Sequence, residues 1–332
     1  MNSVSILMCS YNGDSMLPKS IDAITKLNVQ PFDFVEFVFV DNNSKNNLLT
    51  IVKSLWDKSN TTIKLIAISE KKSGKIAAFL SGYKHCKGEF VVICDDDNIL
   101  FTNYLLEGFN YLKSNSQVGV LGGCGIPVSN VVLPEWLNSY MLEFACGPQA
   151  KQSGNVFPGR NVVYGAGMWF RSCLFQSALN NGFNFIFDYV KDGSTVKKHF
   201  NGGEDGELCW SIKYQGYEIH YSETLNFYHF IDPQKFSIKY LNQIKSRKSR
   251  LTLLSQVYRR VFEMDEIIVN NYWKKEIFYL LFHYFKNFEL SKSYFIQETR
   301  RNLSNLIFLL SYRNRYDEIL NNLIKFKRNF IK

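Results

Sequence analysis

The chain lacks any apolar run approaching the roughly 20 residues that a bilayer-spanning helix needs. Its first residues, Met1-Asn2-Ser3-Val4, lack the basic and apolar regions of a secretory leader. Together these absences predict a cytoplasmic protein. The seven cysteines, at positions 9, 86, 94, 124, 146, 173 and 209, include no C-x-x-C pair and are odd in number. That pattern points away from a zinc site or a disulfide framework and predicts small buried apolar side chains. Glycine and proline vanish after Pro233. With 46% hydrophobic residues among 332, disorder and collagen-like repeats are excluded, and there is enough apolar material for one large core or two modest ones.

Charge is unevenly spread. Residues 1–232 hold 19 Lys+Arg against 22 Asp+Glu, net −3, whereas residues 233–332 hold 20 against 8, net +12. The split predicts two regions with different partners.

The first region alternates short β-rich runs with amphipathic stretches. Strands are expected at Val4–Met8, Val35–Val40, Ile63–Ile68, Phe90–Cys94 and Val118–Leu121, and helices at Leu17–Leu27, Leu48–Trp56, Lys75–Cys86 and Asn103–Leu112. This α/β alternation predicts a mainly parallel sheet covered on both faces, with ligands bound beyond the carboxyl ends of the strands. From about 122 to 205 the regularity fails. Gly-Gly-Cys-Gly-Ile-Pro at 122–127, Pro134, Gly147-Pro148, Pro158-Gly159, Gly165-Ala166-Gly167 and Gly202-Gly203 predict loops that shape a pocket. Beyond Pro233 three helices are expected, near 237–262, 272–287 and 291–330.

The sharpest chemical feature is Asp95-Asp96-Asp97-Asn98, directly after a buried strand. Like charges that close raise one another's pKa unless a cation neutralises them, so the cluster suggests a divalent metal, with Asp95 and Asp97 reaching toward the same side of an extended turn. A solvated acidic turn capping the next helix is the alternative. Ser10-Tyr11-Asn12-Gly13 follows the first strand and Asp41-Asn42-Asn43-Ser44 the second. There a Tyr ring can stack on a base and an Asp can accept from a base or a ribose hydroxyl, although ordinary turn chemistry uses the same residues. Ser73-Gly74-Lys75 is not a phosphate loop, because Ser69 and Ile76 stand where Gly and Ser or Thr are required. Lys75 either meets a diphosphate at the start of its helix or is simply solvated. Gly203-Glu204-Asp205 opens a helix expected over Asp205–Tyr214. Carboxylates at that end are either a general base or a response to the helix dipole.

In this order, Cys9-Ser10-Tyr11-Asn12-Gly13, Val40-Asp41-Asn42-Asn43-Ser44, Cys94-Asp95-Asp96-Asp97-Asn98, Gly165-Ala166-Gly167, Gly203-Glu204-Asp205 with Glu207-Leu208, Gly216-Tyr217 and His229 resemble the family-two inverting glycosyltransferases of GT-A fold. The resemblance covers residues 3 to about 232. It implies a GT-A central sheet flanked by helices in a catalytic domain 1–232, with a nucleotide-binding half 1–121 and an acceptor half 122–232, and a helical extension 233–332. It implies that Ser10, Tyr11, Asn12 and Asp41 hold the uridine, with Asp96 and Lys75 also on the nucleotide, and that Asp95 contacts the ribose or the sugar. Asp97 and His229 would bind Mn²⁺ or Mg²⁺. Asp205 would be the base, with Glu204 beside it, and Gly165, Ala166, Gly167 and Gly203 would line the donor and acceptor pocket. Residues 71–82 depart from the family's N-x-G-x-x-x-A-R-N segment, with Phe79-Leu80 where Arg-Asn is common.

The implied activity is transfer from a UDP-sugar to a glycan or lipid-linked acceptor, in surface polysaccharide synthesis. Two other readings stand beside it. A sugar-nucleotide nucleotidyltransferase would need a basic Gly-rich loop that Ser10 to Leu17 lacks, and a catalytically silent UDP-binding or membrane-scaffold protein would need no base. For the basic tail, Trp273 to Phe288 joins aromatics with Lys and Arg. Either it lies on an anionic membrane at the inner face, or it packs on the catalytic domain or a second copy. No nucleic-acid recognition motif accompanies the charge.

Overall fold

Apolar runs separated by amphipathic helices must cover both faces of a sheet, and the first half of the chain does so. In order come β1 (Ser3–Ser10), α1 (Leu17–Thr25), β2 (Phe34–Asp41), α2 (Leu48–Asp57), β3 (Lys64–Ser69), α3 (Lys75–Tyr83) and β4 (Phe90–Ile93). Each boundary lies within three residues of the expected one. Local chemistry sets the helix starts. Asn47 accepts from the Thr50 amide at 3.2 Å to cap α2, and Pro18 occupies the first turn of α1. The computed structural model describes residues 1–186, 203–263, 271–286 and 292–330. Gly202 and residues 287, 288 and 291, named above, lie outside the described residues.

Strand β1 pairs in parallel with β2 and with β4, and β2 with β3, giving the order β3-β2-β1-β4. The strand order therefore reverses between β1 and β4, and such a switch point opens a crevice at the carboxyl ends of the two strands. Beyond it come β5 (Asn98–Leu100), α4 (Tyr104–Ser114), β6 (Val118–Val128), β7 (Gly154–Asn155), β8 (Trp169–Arg171), α5 (Ser172–Asn180), α6 (Glu204–Lys213) and β9 (Glu218–Phe230). Here the sheet is mixed. β8 runs antiparallel between β4 and β6, β6 is parallel to β9, and β9 is antiparallel to β5 and β7.

The glycine-rich stretch 122–127, expected as loop, is strand. β6 continues to Val128 although its register on β9 shifts between Gly122 and Cys124, because the glycine there leaves room for its neighbours. At Gly123 a Cβ would overlap the Leu225 carbonyl oxygen and crowd the Tyr104 hydroxyl at 2.9 Å. One side of the sheet packs Trp169, Phe90, Phe37, Phe39, Tyr104 and Phe227 into the core. Of the cysteines, all free thiols, Cys94, Cys146 and Cys209 are buried as expected, but Cys173 at the start of α5 is exposed.

The chain forms two compact units, residues 1–180 with 204–237, and residues 181–203 with 238–332. The second unit thus takes in a segment from within the 1–232 span. It is built on α7 (Ile238–Glu263), α8 (Tyr272–Lys286) and α9 (Lys292–Arg328). Asp317 of α9 accepts from the Asn271 and Trp273 amides at 2.6 and 3.3 Å, fixing the start of α8. Lys327 donates to the Val261 and Phe262 carbonyls, both at 3.0 Å, where α7 ends. Phe183 meets Phe326 with ring centroids 5.5 Å apart. Among the described residues no helix is long and apolar enough to cross a membrane.

Replacing Gly123 by Ala should push β6 off β9 and cost about 2 kcal/mol, the usual price of overpacking. Urea unfolding would show a lowered midpoint, and an unchanged midpoint would contradict this account of the glycine strand.

Candidate active site

Three loops at the carboxyl edge of the parallel strands are joined by side-chain amides. After β1, Asn12 sits at φ +55°, donates its amide to Ser44 Oγ at 3.0 Å, and accepts from the Lys45 amide at 2.9 Å through Oδ1. After β2, Asp41 accepts from the Ser44 amide at 3.1 Å. Asn42 accepts from the Gly74 amide and donates to the Lys72 carbonyl, both at 2.8 Å, which ties this loop to the one before α3. Tyr11 is left with its ring 59% exposed. These amide roles went unread in the sequence, where Asx-rich loops signal turns but not which turns they join.

The three aspartates meet three different partners. Asp96 turns to the switch point, where Ser10 Oγ donates to it and Gly13 lies so close that a Cβ would collide with the carboxylate. Burial pushes the Asp96 carboxyl up to about 6, against the pull of the Ser10 bond. Asp95 and Asp97 take different partners, Lys75 and His229. Asn98, fully buried, ties them to one turn: its Oδ1 accepts from the Asp95 amide at 3.1 Å and its Nδ2 lies 3.4 Å from Asp97 Oδ1. Asn98 also pairs with His229 across the β5–β9 ladder. The Phe230 amide donates to the Asp97 carbonyl at 2.9 Å. The ladder thereby delivers His229 Nε2 to 3.5 Å from Asp97 Oδ2. Burial opposes charge on both groups, but their mutual attraction outweighs it. Asp97 is lowered, and His229 is raised to about 10 with a further contribution from Cys146.

Lys75, at the first turn of α3, lies 3.1 Å from Asp95 Oδ1 and 3.2 Å from Glu204 Oε1 at the start of α6. The lysine is a solvent-exposed side chain that also bridges two carboxylates. Desolvation favours its neutral form, yet Asp95, Glu204 and Asp205 together hold its pKa well above the ordinary value. Asp205 is fixed by two amides, Gly165 donating to Oδ2 at 3.0 Å and Gly206 to Oδ1 at 2.8 Å. Burial first, and the Glu204 charge second, raise the Asp205 carboxyl, with Lys75 and the two amides opposing. Of the neighbouring small residues, Gly165 reaches Asp205. Ala166 is buried in the core, the Gly167 carbonyl accepts from Tyr104, and Gly203, at φ +103°, precedes α6.

Asp97 and His229 could hold a cation as carboxylate and neutral imidazole, the cation displacing the proton that their ion pair keeps on His229. The carboxylate suits Mn²⁺ or Mg²⁺, ions that take phosphate and water oxygens to complete their shells, and the imidazole suits Mn²⁺ the better of the two. Among the described residues no group of three or more His, Cys, Asp or Glu side chains is arranged for a metal, so a cation here would depend on the substrate for its remaining ligands.

Comparison with known proteins gives the family and the fold. The family model described as "Glycosyl transferase family 2" matches residues 5–177. A poly(ribitol-phosphate) beta-N-acetylglucosaminyltransferase, TarP of Staphylococcus aureus, is 23% identical over 128 residues, 38% of each chain. The chain spans about a fifth to two-fifths of the length of the poly(ribitol-phosphate) transferases it matches. Among solved structures, S. aureus TarS 1–349 in complex with UDP-GlcNAc superposes with a TM-score of 0.51 at 14% identity, covering 98% of this chain and 92% of that one. The mannosyltransferase PcManGT of Pyrobaculum calidifontis, in complex with GDP-Man and Mn²⁺, gives 0.55 at 15% identity, covering 98% and 86%. These likenesses show a shared fold, the GT-A arrangement that the motif order resembles.

Asn98→Ala should orphan the buried Asp95 amide and release Asp97, at a cost of about 1–3 kcal/mol in stability. A thermal melt would fall accordingly, and an unchanged melt would remove Asn98 from this role.

Proposed function

This chain belongs to glycosyl transferase family 2, and from that premise we propose that it moves a sugar from a UDP-sugar to a hydroxyl of a glycan or lipid-linked acceptor, with inversion, in the assembly of a surface polysaccharide. The observation that carries the reading is Asp205, a partly buried carboxylate aimed by two backbone amides and set beside the Lys75–Glu204 pair. A buried carboxylate with a raised pKa is a better proton acceptor than a solvated one, and fixing it by amides orients it before the substrate arrives.

In the proposed step an acceptor oxygen attacks the anomeric carbon as the bond to the diphosphate breaks. The leaving UDP takes that electron pair, and Asp205 receives the acceptor's proton. Displacement from the opposite side inverts the anomeric centre. Ser10, Tyr11, Asn12, Asp41 and Asp96 would hold the uridine end at the switch point, with the exposed Tyr11 ring suited to stacking. Asp95 would contact ribose or sugar, and Lys75 would meet the diphosphate at the start of α3, where unpaired amides also favour an anion. Asp97 and His229 would hold Mn²⁺ or Mg²⁺, and when bound such an ion neutralises the leaving diphosphate.

The test is release of UDP or GDP from a panel of nucleotide sugars, with and without Mn²⁺, in the wild type and in Asp205→Asn. Mn²⁺-dependent UDP release is expected, falling on the order of 10²- to 10⁴-fold in the variant while UDP affinity holds. A preference for GDP-sugars would overturn the donor assignment. A mild Asp205→Asn with a crippled Glu204→Gln would move the base to the neighbouring residue.

The pH profile carries a second signature. Asp205 must be ionised, so activity should fall as pH drops through its raised pKa. Lys75 lowers that pKa and Glu204 raises it. Lys75→Met should therefore move the acid limb of kcat/KM to higher pH and Glu204→Gln to lower pH. Limbs that stay in place in both variants would show that Asp205 is not the titrating group.

A further inference from the structure

Within the second unit, α8 has its amphipathicity turned inside out. Glu276, 1% exposed, pairs inward with Arg260 of α7, whose guanidinium lies 5.7 Å from the ring centres of Tyr272 and Tyr279. The outward face holds Phe278, Leu281 and Phe282, exposed at 72%, 41% and 57%. Spacings of three and four place them on one stripe. Lys274, one turn before Phe278, and Lys275 are exposed on the same side. A stripe of this size standing in water marks a contact surface.

We propose that this face of α8 docks on an anionic lipid surface, with Phe278, Leu281 and Phe282 beneath the headgroups and Lys274 and Lys275 among the lipid phosphates. Charge complementarity selects this occupant, because residues 233–332 carry net +12 against −3 for the remainder, and the two lysines adjoin the apolar stripe as in helices that lie in an interface. A second copy fits less well, because a two-fold contact would cover the stripe but leave the net +12 of residues 233–332 without any opposite charge. With no membrane-crossing helix among the described residues, the contact is lateral. The proposal stands independently of the sugar-transfer reading.

The full chain should co-sediment with vesicles of phosphatidylcholine and phosphatidylglycerol in equal parts at low salt. Little should sediment with phosphatidylcholine alone, or near 1 M salt, where the screening length falls to about 3 Å. Lys274→Gln with Lys275→Gln should weaken binding on the order of 30-fold, at about fivefold for each ammonium near an anionic surface. Phe278→Ser with Phe282→Ser should abolish binding while the chain stays folded and keeps its UDP affinity, because Phe278 is 72% exposed and both residues are remote in sequence from the site loops. Failure of the wild type to bind anionic vesicles at low salt, or binding that survives loss of both rings, overturns the proposal. A dimer in sedimentation equilibrium that the double Ser variant splits, without vesicle binding, overturns it in favour of a second copy.

Discussion

Five carboxylates, Asp95, Asp96, Asp97, Glu204 and Asp205, gather at one edge of the sheet, and their mutual repulsion is the constraint that the rest of the site answers. None is left without a partner. Asp96 takes a hydroxyl from β1, Asp97 an imidazole from β9, Asp95 and Glu204 share one ammonium from α3, and Asp205 takes two backbone amides. The partners come from β1, β9, α3, α6 and the loop before β8, so the site exists only when the sheet has its full order. Charge neutralisation and fold are coupled here in a way that one local motif could not achieve.

That coupling explains what the sequence made legible. The alternation of apolar runs and amphipathic stretches was enough to place β1 to β4 and their helices, because β1, β2 and β4 are almost wholly buried short apolar runs and the half-buried β3 is β-rich between two helices. The acidic cluster, Asp205 and His229 were visible as residues. The resemblance set Asp97 beside His229, but what brings them together was not visible: it is the β5–β9 register, with the buried amide of Asn98 bonded to the Asp95 backbone. Lys75 was visible too, but its bridge to Glu204 joins distant parts of the chain that no spacing rule connects.

Glycine misled in one place. In a loop it supplies backbone freedom, but in β6 it supplies the absence of a side chain, and Gly123 is needed because the Leu225 carbonyl occupies the space a Cβ would fill. Composition alone does not separate these uses. In the basic tail the helices were legible from the lack of glycine and proline, whereas the inward Glu276 and outward Phe278 of α8 follow from packing on α7 that periodicity does not specify.

The central claim is a single displacement with Asp205 as proton acceptor, and the configuration of the product tests it most directly. Proton NMR of the first sugar released or transferred from an α-linked UDP-sugar, recorded before mutarotation, should show the β anomer. An α-configured product would mean retention, and would contradict the one-step mechanism built on Asp205.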